Sequence, residues 1–341
     1  MPEFRRLTTA GVAIAALAAV AFAAPPASAA TAAQLPGLVP GTVAEPRAVN
    51  DAGQAAGKSG AADHSSHAVR WNADGSLTDL GAAFAPAWSE AWGMNGSGVV
   101  VGSHDGDGHR NPTRWAADGT PTTLPLPPGA VGGEARAIND SGVVAGWTQI
   151  GGNRHAVRWA ADGTPTDLGP STGGQRTAAF GINNDGVIVG DADGPGAPIG
   201  EAIRWNPDGT VVRLGTLEGN GHGYSTALAV NANGTVVGHA SGTDGYSHPV
   251  AWSPSGTLRQ LPVAPDAYRT DGYAYGINTD GTIVGAAPTG QSTRNAIRWS
   301  PDGTSTDLGS LPGRSGSEAW AINGAGVIVG NSVGLATRWT G

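Results

Sequence analysis

The chain has 341 residues with 27 Asp+Glu against 19 Lys+Arg, a net charge of −8, an acidic balance that argues against a nucleic-acid partner, which selects for a basic face. It contains no cysteine, so neither a disulfide framework nor a thiolate metal site can form. The length suffices for a large core in one domain or two.

Residues 1–29 read as an export signal. Arg5 and Arg6 supply positive charge, Gly11 to Ala24 form a short apolar run, and Ala27-Ser28-Ala29 is a small-residue cleavage site. The run is too short for a comfortable membrane span, and no apolar run of spanning length follows, so the mature chain is expected to have no integral membrane segment. Cleavage after about Ala29 is expected, by the general secretory route rather than the twin-arginine route, because Arg5-Arg6-Leu7 sits in a weak motif. Removing this segment takes away two arginines and one glutamate, leaving 17 basic against 26 acidic residues, a net charge of −9.

From there on one pattern repeats. A small residue, a hydrophobic and an asparagine recur at Asn50, Asn95, Asn139, Asn183, Asn231, Asn278 and Asn323, each with a glycine three residues later. Steps of 44 to 48 residues in seven copies indicate a propeller or solenoid. The second half of each unit centres on Trp71, Trp115, Trp159, Trp205, Trp252, Trp299 and Trp339, preceded by arginine in every copy except at Ala251. The 56 glycines and 24 prolines would suggest disorder if aperiodic, but here they fall mostly on turns.

Within a unit the periodicity is two. Short β-branched and aromatic runs bounded by Gly, Asn and Asp are strand signals. In the third copy they predict strand a over Ala137-Ile138-Asn139, b from Val143 to Gly146, c from Ala156 to Trp159 and d from Thr164 to Gly169. Each Asn-x-x-Gly predicts a tight turn, and Asp-Gly pairs such as Asp162-Gly163 predict the next. No helix is required.

The last copy stops after strand c, at Ala336 to Gly341, while Ala33 to Gly37 matches a strand d placed before the first strand a. An N-terminal strand d completing a C-terminal a-b-c sheet closes a ring, whereas an open solenoid would want distinct caps. The expectation is therefore all-β: residues 30–341 form a single seven-bladed β-propeller of four-stranded antiparallel blades, strand a lining the centre. Small residues at Ala48, Gly93, Ala137, Gly181, Ala229, Gly276 and Ala321 suit crowding at the axis.

Turns a–b and c–d are short and constant, whereas loops b–c and d–a vary and share one face, which marks that face as the place to look for binding. It carries the candidate binding residues Trp88, Tyr224, Tyr246 and Tyr268, together with His104, Asp105, Asp107 and His109 in one acidic loop. The aromatics could stack on sugar rings or a peptide. The acidic loop could hold a divalent cation but lacks the ligand order of a calcium loop, so no metal or cofactor is expected. His67, His155 and His248 occupy one repeated position at the start of strand c, with no acid or serine partner placed beside them by the sequence, and read as structural. The repeated Arg-Trp pair also reads as architectural: tryptophan fills the core, and arginine reaches the adjacent layer or pairs with Asp79, Asp167 or Asp307 on strand d.

The units His155 to Gly169 and Ala137 to Gly146 resemble the extracellular HAF repeats, named for a His-Ala-Phe run that appears here as His67-Ala68-Val69 and His155-Ala156-Val157. The resemblance covers residues 33–341, with valine, isoleucine or threonine in place of phenylalanine. It implies a secreted or surface-associated repeat protein and brings no catalytic residues. Trp299 to Thr304 is also similar to the TolB-type repeat, and Gly181 to Gly186 to the regulator-of-chromosome-condensation repeat, but neither accounts for both halves of the unit.

The sequence thus points to a secreted, monomeric, non-enzymatic scaffold that binds a protein or glycan through variable loops. The alternative is an extracellular polysaccharide hydrolase or lyase with acids such as Asp105, Asp107, Asp191 or Asp193 at the central mouth.

Overall fold

The computed structural model describes residues 30–169, 173–194, 197–217, 223–264, 267, 269–290 and 293–340. Residues 1–29 and Tyr268 lie outside these. Seven four-stranded antiparallel sheets follow one another along the chain, forming a seven-bladed propeller. Blades one to six span 44–79, 89–123, 130–167, 177–213, 225–260 and 273–307. Blade seven takes strands a to c from 318–340 and its outer strand from Thr31–Gln34, which pairs antiparallel with Leu335–Thr340 from Thr31 opposite Thr340 to Gln34 opposite Thr337.

The strand boundaries differ from expectation at both edges of a blade. Strand a of blade three runs Ala130–Ile138, beginning seven residues before Ala137, and Asn139 belongs to the turn; strand d is only Pro165–Asp167. Among the described residues the one helical turn is Ala82–Phe84, in the loop entering blade two.

Each Asn-x-x-Gly forms the predicted turn. In blade three, Gly142 N–H donates to the Asn139 carbonyl at 3.0 Å and Asn139 N–H donates to the Val143 carbonyl at 3.0 Å, with Gly142 at φ 78°, a conformation that glycine alone adopts without strain. The asparagine side chain does more than shape its own turn. Its Oδ1 accepts from Val143 N–H at 2.9 Å, and its Nδ2 donates to the carbonyl of Asn183 in the next blade at 3.1 Å. The same step recurs around the ring and closes where Asn323 donates to the Asn50 carbonyl at 2.9 Å.

Between blades the core is built from the second half of the unit. The tryptophans are nearly fully buried, and five donate their indole N–H to the preceding blade's outer edge, as Trp159 does to the Pro125 carbonyl at 2.7 Å. The arginine before the tryptophan faces the other way, and three reach the following blade: Arg70 donates to the Ala117 carbonyl at 2.7 Å, Arg114 to that of Ala161 at 2.9 Å and Arg204 to that of Pro254 at 3.0 Å.

Asp79, Asp167 and Asp307 do not pair with these arginines. Strand d puts Asp79 opposite Val69, so its side chain shares a face with residue 67 and not with Arg70. Asp79 binds His67 at 2.9 Å, Asp167 binds His155 at 2.9 Å, and Asp307 accepts from Asn295 at 2.8 Å. Arg213 and Glu201 fill the same two positions with the charges reversed. The structure thus supplies the acid partner that the sequence did not place beside the histidines, but as a rim clasp recurring from blade to blade.

Deleting residues 31–40 should strip the outer strand from blade seven and lower the melting temperature. An unchanged thermal transition would contradict closure through this strand.

Candidate functional site at the axial mouth

In all seven blades strand a carries a β-bulge three residues before the asparagine. A bulge leaves one residue unpaired and re-aims its side chain. The glycine seven residues after each asparagine makes this possible: at Gly146 a Cβ would collide with the Glu134 carbonyl, and the equivalent collision exists in every blade.

The seven bulge residues line an axial cavity of about 210 Å³, and they differ between blades: Arg47, Trp92, Arg136, Phe180, Leu228, Tyr275 and Trp320. The Arg47 guanidinium lies 4.0 Å over Trp320 and 5.0 Å over Trp92, and Arg136 lies 3.5 Å over Trp92. Tyr275 stacks on Trp320 at 4.1 Å. Such cation–π contacts strengthen when desolvated. Towards the other face, one apolar side chain per blade separates this cavity from a vestibule of about 240 Å³ lined by the asparagines.

Two residues before each bulge lies a second variable row. Glu318, Glu45, Glu90 and Glu134 come from four successive blades, while Ala178, Thr226 and Tyr273 complete the circle. Three of these acids pair with cations: Arg47 lies 2.7 Å from Glu45, Lys58 3.4 Å from Glu45 and 3.2 Å from Glu90, and Arg136 3.2 Å from Glu134, which also pairs with Arg110. Burial lowers Arg136 to about 10 against the pull of Glu134, and burial raises the Glu318 carboxyl although Arg294 and Arg47 oppose it.

The facing positions on strand b form a third row, Lys58, Ser103, Trp147, Asp191, His239, Ala286 and Asn331, with no residue type repeated. His239 sits edge-on between Tyr224 at 6.1 Å and Tyr273 at 4.9 Å, and burial lowers it to about 4. All three rows sit towards the ends of strands a and b that meet the variable loops.

A cleft of about 520 Å³ opens beside this mouth between blades three and four. It is lined by Trp147, Gln149, Asn153 and Arg154 on one side and Arg176, Thr177, Ala178, Asp191 and Asp193 on the other. Arg154 lies 4.4 Å over Trp147. Asp193 Oδ1 accepts from the backbone N–H groups of Gln175 and Arg176, both at 2.7 Å. Burial raises Asp191 from 3.8 to about 6; Arg176 and Arg154 work against the shift and Asp193 adds to it.

The residues singled out from the sequence do not gather into one site. Trp88 and Tyr246 are 54% and 42% exposed, but Trp88 precedes blade two and Tyr246 lies in blade five, three blades apart. Tyr224 is half-buried, its hydroxyl bonded to Ser247. The stretch from His104 to His109 is a strand pair joined by Asp107-Gly108, both with positive φ. His104 turns inward, stacking on Phe84 at 3.9 Å and bonding Thr113 at 2.8 Å, and burial lowers its pKa. Asp105 points the other way, 3.8 Å from Arg110, and Asp107 and His109 are exposed. Among the described residues no group of three or more His, Asp or Glu is arranged to hold a metal ion. Of the acids named for the central mouth, Asp191 and Asp193 share the cleft, whereas Asp105 and Asp107 lie on the blade-two hairpin.

No family model and no curated protein matches the sequence. Solved structures do match in shape. A streptogramin B lyase superposes with a TM-score of 0.57 at 13% identity, over 92% of this chain and 98% of that one. A puromycin hydrolase gives 0.56 at 18% identity over 85% of this chain and 50% of its own. A putative TolB from Agrobacterium tumefaciens gives 0.52 at 12% over 78% and 94%. At these identities the likeness is one of fold.

The raised Asp191 has a thermodynamic signature. A carboxyl that holds its proton more tightly when folded contributes stability that is complete below about 3.8 and is lost as pH rises through about 6. Asp191→Asn should therefore melt increasingly above the wild type as pH climbs across that window, with the gap levelling above about 7. A gap independent of pH would show that Asp191 titrates normally.

Proposed function

We propose that this is a secreted, non-enzymatic binding propeller that receives a glycan or protein partner on the face carrying its variable loops, with the axial mouth and adjoining cleft as the contact region. The observation that carries this reading is the convergence there of three rows of side chains that differ from blade to blade, while their flanking alanines, glycines and asparagines recur. Positions that only build a repeat need not vary. The indole N–H groups of Trp92 and Trp320 and two guanidinium nitrogens of Arg47 are buried without a protein hydrogen-bond partner, and buried donors left unmatched are costly. Export is supported by the N-terminal segment and by the resemblance to extracellular repeats.

A second reading, a polysaccharide hydrolase or lyase, is favoured by one observation: Asp191, with its raised carboxyl, shares a cavity with Asp193. Acid–base chemistry uses such environments. Turnover of a polysaccharide that disappears in Asp191→Asn would establish it.

The binding reading is tested by replacing Lys58, Trp147, Asp191 and His239 one at a time with serine, the residue blade two already carries at this position as Ser103. Against glycan and peptide arrays, at least one replacement should weaken the wild-type interaction about tenfold or more in a folded protein. Binding that survives all four but is lost in Trp88→Ala or Tyr246→Ala would move the site to the loops.

A further inference from the structure

The interface between blades three and four is short of side-chain volume. On strand b, blades two, four, five, six and seven place Val101, Val189, Val237, Val284 and Val329 where blade three has Ala145. Blade one also has alanine there, Ala56, but Phe84 and Met94 pack against that core. In the row that supplies glutamates elsewhere, blade four has Ala178, which lines the cleft. The interface opens at both faces, with a second cavity of about 470 Å³ on the side of the asparagine turns. The cleft of about 520 Å³ on the variable face falls within the usual range of small-molecule sites, roughly 300–1,000 Å³.

Its lining has a specific chemistry. Arg154 and Arg176 balance Asp191 and Asp193, so the formal charge is zero; Gln149 and Asn153 each offer an amide donor and acceptor. A lone anion entering the cleft would face two carboxylates, and a lone cation two guanidinium groups. Asp193 is occupied by the backbone of 175–176, and Thr177 Oγ1 accepts from Ala156 N–H at 2.8 Å. No hydrogen bond from another residue reaches the Asp191 carboxylate among the described residues, although it lines the same wall. The Trp147–Arg154 stack forms a flat, partly apolar surface on the opposite side.

We propose that this cleft binds a neutral saccharide, its ring against the Trp147–Arg154 wall and its hydroxyl groups bridging the Asp191 carboxyl and the Arg176 guanidinium. A polyhydroxyl ring uses donors and acceptors side by side without bringing a net charge, and its C–H face suits the indole. This rests on the reading of the variable-loop face as the binding face and narrows it to one inter-blade site and one ligand class.

The test is an array of neutral and uronate-bearing oligosaccharides, followed by titration calorimetry of the strongest neutral hit. Wild type, Asp191→Asn, Ala178→Tyr and Lys58→Ser would be compared, with inorganic phosphate and L-arginine as ionic probes. Ala178→Tyr fills the cleft with the residue blade six carries at the same position, Tyr273, and removes no polar group of the site. A neutral oligosaccharide should bind, and Asp191→Asn and Ala178→Tyr should each weaken it about tenfold or more. If Ala178→Tyr does not fold, the Asp191→Asn comparison decides. Binding unaffected by the cleft variants, binding of uronates, phosphate or arginine alone, or no glycan binding would overturn the proposal. Loss in Lys58→Ser with both cleft variants intact would overturn it while leaving the binding face in place.

Discussion

The structure depends on one hydrogen-bonded belt. Each repeat contributes an asparagine whose carboxamide is used twice, Oδ1 on its own turn and Nδ2 on the backbone carbonyl of the next asparagine. Blade-to-blade contact is therefore made by the same group that shapes the innermost turn. Because the seventh asparagine returns to the first, the belt is consistent only in a closed ring. Closure in turn asks the two ends of the chain to share blade seven, which the N-terminal strand does.

With the turns pinned on one face, each strand a approaches the other face through a bulge, and the glycine opposite makes room for it. The belt and bulge together deliver one side chain per blade to the axis without specifying which. That freedom is where the copies diverge. Arginines interleaved with aromatics hold the axis by cation–π contacts, and glutamates above them meet Arg47, Lys58 and Arg136. Blades three and four depart from this packing: Ala178 stands in the row that carries glutamates elsewhere, and a cleft opens beside it.

Much of the fold was legible because the belt leaves an unbroken signature. The Asn-x-x-Gly spacing set the number of blades, the Asp-Gly turns separated strands c and d, and the orphan strand at 33–37 foretold closure, though the pairing runs Thr31–Gln34. The arginine of Arg-Trp reaches the adjacent blade as expected, but pairing with Asp79 failed because register, which local spacing does not give, places that aspartate with His67. The site was missed for a related reason. Local spacing gives strand a only three residues, which leaves Glu134 and Arg136 outside it and points to the loops instead. A signal was present in the copy-to-copy variation at Arg47, Trp92 and their equivalents, framed by a constant alanine or proline before and a small residue after. Recognising it needed the idea of a bulge, since simple alternation does not aim these side chains at the axis.

The account stands on the belt being structural in every blade and the variable rows being dispensable for folding. The direct measurement is thermal unfolding of Asn183→Ala beside His239→Ser. Removing the carboxamide leaves the Val187 N–H without its acceptor and takes one of two donors from the Asn231 carbonyl, which keeps Gly234 N–H, a loss of about 1–3 kcal/mol for a buried group. The account predicts a clearly lowered melting temperature for Asn183→Ala and a near-native one for His239→Ser. An unaffected Asn183→Ala, or a His239→Ser protein that unfolds first, would contradict it.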